Sequence, residues 1–376
     1  MYNCSMLDGR KVVGIICECN PFHEGHKRLI NASKKEGDIV IAVMSGNFVQ
    51  RGEPAVHDKY NRAKKLLKSG VSMVIELPSE FTLSSAKYFA LSSVKILDKL
   101  EFVDTLMFGS MLNDVKKLST FADINIESEN NDVIKSMLKK GSSYSKSLST
   151  IYGKKLSPND ILAVEYISAI KNLRSHLKPI SIKRVNDIPT ASELRNKLTR
   201  KIHNNDFSDI LNYKLLLCKN NLLDISNIYL MTNDFYNSLL KLPNTKMSFD
   251  KIAKSLKTKN RTLANIKRVL LNIVLGISKK DIPDIKSYPN YIRILAAKKS
   301  FLPHLKDISI PYLMSYAPSS YKAYIKNFPK SKVIKINKNG EFILSPSIKN
   351  NIFANNLYYH FSGKNINEAS IRNLII

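Results

Sequence analysis

Through its first 200 residues the chain alternates short apolar, β-branched runs with longer amphipathic stretches. This alternation is typical of βαβ units, in which helices join parallel strands, and it restricts the possible folds more than any other feature. Right-handed crossovers make such units a doubly wound sheet, whose ligand site lies beyond the carboxyl ends of the strands. The predicted strands are 11–17, 39–44, 72–77, 103–108 and 180–184. The predicted helices are 24–35, 59–69, 84–100 and 158–172.

Beyond about residue 205 the strand pattern stops and helical spacing replaces it. The clearest helix is 261–275, where apolar residues recur on one face and Gly276 predicts the C-terminal end. Five prolines between 289 and 329 exclude a long helix there. We therefore expect an α/β, Rossmann-like part with a parallel sheet over 1–205, followed by a mainly α-helical, basic part over 206–376.

The charge balance indicates a polyanionic partner. The chain has 59 Lys and Arg against 31 Asp and Glu, a net charge of +28. Residues 251–376 hold 23 basic and 5 acidic side chains, an excess of 18, whereas residues 1–200 hold 31 and 21, an excess of 10. Such lopsided blocks often bind nucleic acid, although solvated lysines are the alternative. We predict an RNA-binding C-terminal part, with Arg261, Lys267 and Arg268 as candidate contacts.

Composition excludes several classes of protein. At 44% hydrophobic and 24% charged residues, the chain is too apolar to be disordered. No apolar run approaches the roughly 20 residues that cross a bilayer, and the first ten residues lack a signal-peptide pattern. We therefore expect a cytoplasmic protein with no membrane partner. The four cysteines have no CxxC spacing, which predicts free thiols and no protein-held metal site.

A histidine motif follows the first predicted strand, where E-C-N-P-F-H-E-G-H leads into a helix. Backbone N–H groups and the positive dipole end of a helix bind phosphate there, and Gly25 permits its close approach. His23 and His26 share a helix face, from which two imidazoles neutralise charge developing on an α-phosphate as pyrophosphate leaves. The motif predicts nucleotidyl transfer. The alternatives are two surface histidines or half of a metal site.

A second polar block follows the second strand, where V-M-S-G-N-F-V-Q-R-G-E-P is succeeded by D-K-Y-N-R. Small residues and a Q-R-G-E loop at the carboxyl end of a strand suit a substrate pocket, in which cations pair with phosphate or carboxylate. The candidates are Ser45, Gln50, Arg51, Lys59 and Arg62. Lys59 and Arg62 are equally consistent with exposure on a helix surface.

Three further positions flank the predicted nucleotide site. Gly109 ends the fourth strand and leaves room for an adenine or ribose. Asn159, at a helix start, is either a cap or a nucleotide ligand. The segment T-A-S-E-L-R opens another helix, with the hydroxyls of Thr190 and Ser192 at its start and Arg195 one turn later, which is again an arrangement that binds phosphate.

Five blocks of sequence resemble the bacterial tRNA(Met) cytidine acetate ligase family and occur in its order. They are G-I-I-x-E-x-N-P-F-H-x-G-H, V-M-S-G-x-F-x-Q-R-G-E-P, E-L-P, F-G-S and P-N-D-I-L-A-x-E-Y. R-x-L-x-x-I-K-R-V-L-L and Y-I-R-I-L extend the match more weakly. The resemblance implies an H-x-G-H nucleotidyltransferase domain fused to a tRNA-binding region. It also implies that acetate and ATP, carried with Mg²⁺, give acetyl-adenylate and pyrophosphate, and that the acetyl group passes to N4 of C34 in elongator tRNA(Met).

Site residues also follow from the resemblance by position. His23 and His26 are implied to stabilise the adenylation transition state, and Thr190, Ser192 and Arg195 to hold phosphate. The implied ATP contacts are Val13, Gly14, Asn20, Pro21, Phe22, His23, Gly25, His26, Gly109, Asn159 and Arg184.

The chain departs from the usual family sequence at four places. Cys19 stands where Tyr is usual, Leu29 where His is usual and Met111 where Glu is usual, and a G-x-G-Y-H-D loop that normally follows the position of Arg184 is absent.

Two other functions remain open at this point. One is a nucleotidyltransferase for a small phosphate ester, which has no need of a basic C-terminal third. The other is an RNA-binding homologue with a decayed site, which the retained H-x-G-H disfavours.

Overall fold

The computed structural model describes residues 7–129, 152–153, 156–184, 189, 191–198, 202–285, 288–371 and 374–376. Its strands are β1 (Val12–Cys17), β2 (Ile39–Ser45), β3 (Phe48–Val49), β4 (Glu53–Pro54), β5 (Met73–Leu77), β6 (Thr105–Ser110), β7 (Lys178–Lys183), β8 (Ile292–Ala297), β9 (Tyr312–Leu313), β10 (Ile334–Ile336), β11 (Phe342–Leu344) and β12 (Leu374–Ile375). Its α-helices are α1 (Glu24–Glu36), α2 (Lys59–Ser69), α3 (Ser79–Thr82), α4 (Ala86–Lys99), α5 (Val115–Glu129), α6 (Pro158–Leu173), α7 (Ala191–Lys197), α8 (Ser208–Lys219), α9 (Asn233–Leu240), α10 (Phe249–Ser255), α11 (Leu263–Leu275), α12 (Pro318–Asn327) and α13 (Pro346–Phe361).

The central sheet has the strand order β12-β8-β5-β2-β1-β6-β7, with β9 beside β8. Strands β5, β2, β1, β6 and β7 run parallel. Helices α4 and α6 cover one face, and α1 and α2 cover the other. Residues on both faces of the central strands are therefore buried, which explains their unbroken apolar sequences. The predicted α/β fold with a parallel sheet is confirmed.

Three strands of this sheet come from the C-terminal third of the chain. β8 pairs antiparallel with β5, while β9 and β12 lie parallel to β8. The boundary expected at residue 205 therefore does not separate the sheet from the C-terminal part. The run I-R-I-L-A-A is wholly buried in β8. Such a short apolar run does not by itself distinguish a strand from a buried helical segment, so its place in the sheet was not predicted.

A second core lies among the helices of the C-terminal part. Helices α8, α9, α10, α11 and α13 surround it, and Phe48 of β3 joins them. The apolar stripe predicted for 261–275 faces this core, and Gly276 ends α11 at a left-handed φ of 70°, as its sequence predicts. A smaller unit of α12 and the antiparallel pair β10–β11 packs around a third cluster of buried tyrosines. Among the described residues, no helix is both long and apolar enough to cross a bilayer.

Candidate active site

The carboxyl ends of four parallel strands meet at one edge of the sheet. Glu18–His26 follow β1, the loop 46–53 follows β2, the start of α6 meets the end of β6, and Arg184 follows β7. The groups predicted from separate motifs are therefore brought to the same edge, where a doubly wound sheet binds its ligands.

The turn between β1 and α1 is held in place from two sides. Cys19 has a φ of 49° and the Asn20–Pro21 bond is cis. The Asn20 side-chain oxygen accepts a hydrogen bond from Val56 N at 2.8 Å, and its carbonyl accepts one from Arg195 Nη1 at 2.7 Å. The Asn20 Nδ2 group is buried and has no hydrogen-bond partner among the described residues. Since such a donor is costly when unpaired, it suits a ligand oxygen.

The two motif histidines are fixed in one tautomer. His23 caps α1, and its Nδ1 accepts from Gly25 N at 3.0 Å. His26 Nδ1 accepts from His23 N at 3.3 Å, and the ring centroids are 4.1 Å apart. Phe22 stacks on His26 at 5.6 Å. Because a neutral ring whose Nδ1 accepts a hydrogen bond carries its proton on Nε2, both imidazoles present an Nε2–H donor.

Burial keeps both histidines uncharged. It lowers the pKa of His23, with a further lowering from Arg184, and it lowers the pKa of His26 to about 3, with further lowering from His23 and Arg184. At neutral pH both rings are therefore hydrogen-bond donors without a positive charge of their own.

The His26 pKa predicts a pH dependence of stability. Below pH 6.5 the unfolded chain protonates this histidine while the folded chain does not until about pH 3, so stability present above pH 6.5 is lost as the pH falls. Between pH 7 and pH 5 the wild type should lose about 1–2 kcal/mol more unfolding free energy than His26→Gln. Chemical denaturation of both proteins at the two pH values measures this. Equal losses would contradict the assignment.

Arginines supply the positive charge of the site. Arg184 lies over Gly109, where a Cβ would meet its Cγ at 3.3 Å, so Gly109 makes room for this side chain. Burial and the nearby Arg51 lower the pKa of Arg184. Arg195 is buried and its Nη2 donates to Ser192 Oγ at 2.8 Å. Together with the two neutral imidazoles, Arg51, Arg184 and Arg195 form an electrostatic environment that suits a polyphosphate.

Asp160 organises the junction of β6 and α6. Its Oδ1 accepts from Ser110 Oγ at 2.6 Å and from the backbone N–H groups of Met111 and Leu112 at 2.9 and 3.2 Å. Hydrogen bonds of this kind outweigh burial and lower the pKa of Asp160, so the group is an anion. Ser157 caps α6, which leaves the half-buried Asn159 in the first turn as a candidate ligand rather than as the cap.

Gly25 has a steric role beside His23. A Cβ at Gly25 would lie 2.7 Å from Cε1 and 3.0 Å from Nδ1 of that ring. Gly25→Ala should therefore displace His23 and reduce nucleotide-dependent catalysis about 10- to 100-fold, since small misplacements of a catalytic group have effects of this size. The measurement is pyrophosphate release by the folded variant. Asn31→Ala, at an exposed position of the same helix, is the control and should retain full activity.

Lys59 and Arg62 are neither substrate ligands nor exposed, contrary to both expectations. Both are fully buried. Lys59 Nζ lies 2.7 Å from each carboxylate oxygen of Glu76 and 2.5 Å from Glu368 Oε1. The Arg62 guanidinium donates to four backbone carbonyls, those of Glu18, Ser45, Gly46 and His57. Both cations are paired with groups of the protein itself, because a buried charge without a partner is costly.

The expected tRNA contacts are also corrected in part. Arg268 is buried and its Nη1 donates to the carbonyl of Gln50 at 3.0 Å, so it fastens the Q-R-G-E loop to α11. Lys267 pairs with Glu53 at 3.3 Å and with Asp250 at 3.6 Å. Arg261 donates to Ser238 and lies 5.3 Å from the centre of the Phe235 ring. Lys267 and Arg268 are therefore poorly placed to contact RNA, whereas the half-buried Arg261 stays a candidate.

Several other predicted residues also have structural roles. Val13 packs into the core between β1 and the helices α1 and α2. A Cβ at Gly14 would meet Leu97 at 2.8 Å, so Gly14 lets α4 approach β1. Ser45 is buried at the end of β2, where its Oγ has no partner among the described residues. Thr190 lies outside the described residues.

Sequence reasoning singled out no individual role for Glu18, although it stands within the first motif. Its Oε1 accepts from Gln50 N at 2.5 Å, which joins the Q-R-G-E loop to the β1 turn. Burial raises its pKa, while Arg51, Arg62 and Arg195 oppose that rise. Within the described part of the chain, no three His, Cys, Asp or Glu side chains cluster as a metal site.

Comparison with known proteins agrees with this geometry. A family model described as HIGH Nucleotidyl Transferase matches residues 10–199 and 188–369. The tRNA(Met) cytidine acetate ligase of Staphylococcus haemolyticus (strain JCSC1435) is 34% identical over 396 residues, covering 95% of this chain and 97% of that protein. The enzyme of the same name from Staphylococcus aureus (strain MRSA252) is 34% identical over 337 residues, covering 79% and 87%.

Solved structures agree as well. The crystal structure of Thermotoga maritima TmcAL bound with α-thio ATP superposes with a TM-score of 0.83 at 26% identity, covering 97% of this chain and 99% of that one. The apo form of the same protein gives a TM-score of 0.78 over the same shares. With its H-x-G-H motif at the carboxyl edge of a parallel sheet and relatives of this identity along nearly its whole length, the chain belongs to the tRNA(Met) cytidine acetate ligase family.

Proposed function

We propose that the protein activates acetate with ATP as acetyl-adenylate and then acetylates N4 of the wobble cytidine, C34, of elongator tRNA(Met). One observation carries this proposal. Two uncharged imidazoles with Nε2–H donors stand near Arg184 and Arg195 at the carboxyl edge of the sheet, and Arg51 lies near Arg184. The family of the chain, and the α-thio ATP bound to the Thermotoga maritima protein, support the same activity. We place the reaction in the cytoplasm, where tRNA is found.

The residues present fit ATP. Asn20 Nδ2 is a buried donor without a partner in the described chain, and the three arginines supply charge for the phosphates. Gly109 and the half-buried Asn159 flank the same edge and are candidate contacts to the nucleoside. Mg²⁺ is expected to arrive with the nucleotide, whose phosphate oxygens supply ligands that this ion prefers.

The proposed chemistry has two steps. An acetate oxygen attacks the α-phosphorus, the bond to the bridging oxygen of the β-phosphate breaks, and pyrophosphate leaves with that electron pair. The Nε2–H donors of His23 and His26 stabilise the charge that develops on the phosphate oxygens, and donors held in place beforehand do this with little reorganisation. N4 of the cytidine then attacks the acetyl carbon, loses a proton and displaces AMP.

The direct test is mass spectrometry of nucleosides from elongator tRNA(Met) incubated with the purified protein, ATP and acetate. N4-acetylcytidine at C34 should form only when all components are present. Omission of acetate or protein, and a tRNA with U34, serve as controls. Pyrophosphate release that proceeds equally well with a small phosphate ester in place of acetate would contradict the proposal, as would tRNA binding without any acetylcytidine.

A further inference from the structure

A block of exposed positive charge lies on the small unit of α12, β10 and β11 and at the start of α13. Residues 318–349 contain seven lysines and a single acidic residue, Glu341, which accepts from Asn337 at 2.7 Å. We define the lysine surface as the exposed side chains of Lys326, Lys330, Lys332, Lys335, Lys338 and Lys349. Within the part of the chain that the structure describes, these six lysines make no ion pair.

We propose that the lysine surface binds the phosphate backbone of the tRNA, so that a base of the same RNA reaches the candidate active site. The proposal rests on the function proposed above and names where its RNA substrate binds. Unpaired lysines bind a nucleic-acid backbone by releasing its counterions. A cation that is already paired within the protein gains much less free energy from contact with a phosphate. Lys267 and Arg268, expected from the sequence to serve this purpose, are bound to other groups of the protein.

Helix α13 joins this surface to the active-site edge. Its N-cap residue, Ser345, donates its N–H to the carbonyl of Val333 beside β10 at 2.9 Å. Near its other end, Tyr358 Oη donates to the carbonyl of Ala55 at 2.9 Å, next to the Q-R-G-E loop. Sixteen helical residues span about 24 Å. The lysines therefore lie about one helix length from the loop, a distance that a folded RNA spans.

The solvent-facing side of α13 supplies a second kind of contact. Lys349, Phe353 and His360 are all exposed along it, and the Phe353 side chain is 49% exposed. An aromatic ring in the open between a basic surface and an active site is a platform on which an unpaired base stacks. This feature favours RNA over an acidic protein partner, because stacking needs a flat base.

The first experiment compares two variants of equal charge change. One is K330Q/K332Q/K335Q/K338Q on the lysine surface, and the control is K64Q/K68Q/K116Q/K117Q, four exposed lysines on α2 and α5. The lysine-surface variant should bind elongator tRNA(Met) about 10- to 100-fold more weakly at low salt. The plot of the logarithm of its association constant against the logarithm of salt concentration should be less steep by about 2–3. Its acetyl-adenylate formation should equal that of the wild type, and the control should bind normally.

A second variant tests the stacking platform. Phe353→Ala should weaken tRNA binding about 5- to 100-fold without changing the salt slope, because stacking releases few ions, and Phe353→Tyr should restore binding. Since the ring is exposed, the variant should fold as the wild type does, and thermal unfolding verifies this.

Four results would overturn the inference. Equal weakening by both quadruple variants would show a general charge effect. Unchanged binding by the lysine-surface variant, with a wild type that binds and acetylates tRNA, would overturn this inference and leave the proposed function intact. Binding of the wild type to vesicles of anionic phospholipid, lost in the lysine-surface variant while tRNA binding persists, would assign the surface to a membrane. A wild type that neither binds nor acetylates tRNA would refute the proposed function and this inference with it.

Discussion

Replacing His26 with alanine should slow acetyl-adenylate formation about 10²–10³-fold, the usual effect of losing one preorganised transition-state donor. The substitution removes the Nε2–H donor, and it also removes the Nδ1 that accepts from His23 N at 3.3 Å. Binding of tRNA should be nearly unchanged, because the proposed RNA contacts are on α12, α13 and the β10–β11 pair. The measurements are acetate-dependent pyrophosphate release and a tRNA binding curve.

The matched control for this substitution is His176→Ala. His176 is also partly buried, and its Nε2 lies 2.9 Å from the carbonyl of Val103, which precedes β6 at the opposite edge of the sheet. This control should form acetyl-adenylate at the wild-type rate. A fully active His26→Ala, or one that forms the adenylate normally yet fails to bind tRNA, would show that we have assigned the wrong role to the motif.

Replacing Lys59 with methionine should lower the free energy of unfolding by about 3–5 kcal/mol at pH 7, the usual cost of removing one partner from a buried ion pair. The ammonium is fully buried and lies between the carboxylates of Glu76 and Glu368. Without it, the two buried carboxylates keep Tyr60 Oη, 3.0 Å from Glu368, as a donor and the buried Arg293 as a nearby positive charge, which balances one of them. Chemical denaturation measures the loss.

The pH dependence of the stability loss distinguishes the removal of a buried charge from a simple packing defect. Burial raises the pKa of Glu368 and Glu76 raises it further, whereas Lys59 and Arg293 lower it. Without Lys59, the folded variant should take up a proton on this pair at a higher pH than the unfolded chain does, so its stability relative to the wild type should recover as the pH falls from 7 to 5. A packing defect would give the same difference at every pH.

Two further proteins complete the test. Lys64→Met, at an exposed position on the same helix, should change the unfolding free energy by less than about 0.5 kcal/mol. Lys59→Met combined with Glu368→Gln should regain much of the lost stability, since the charge of Glu76 is then balanced by the nearby buried Arg293. A double variant as unstable as Lys59→Met alone would exclude the electrostatic explanation.

The ion-pair network of Lys59, Glu76 and Glu368 also connects the C-terminal segment to the sheet. Glu368 follows α13, and its contact with Lys59 lies close to β5, which β8 extends. Buried ion pairs contribute little net stability compared with apolar packing, but they penalise arrangements in which one charge is left alone. The network therefore favours the native docking of residues 288–371 over alternatives.

Local sequence patterns were sufficient to predict the elements that carry the chemistry. Alternating apolar runs and amphipathic stretches predicted the five parallel strands, and α2 is found at the predicted residues. The position of H-x-G-H between a strand and a helix predicted the place of the motif, because the carboxyl edge of a parallel sheet follows from connectivity alone. The resemblance in ordered motifs predicted the family, which the comparisons confirm.

Tertiary structure alone decided which charges face solvent and which strands close the sheet. Lys59 and Arg268 have the spacing of exposed helical residues, yet partners far away along the chain, Glu368 and the Gln50 carbonyl, lie beside them in the folded protein. β8 joins β5 across more than half of the chain. The physical reason is that periodicity reports only which side of an element is apolar, whereas burial of a charge and pairing of a strand depend on groups that folding brings from distant parts of the sequence.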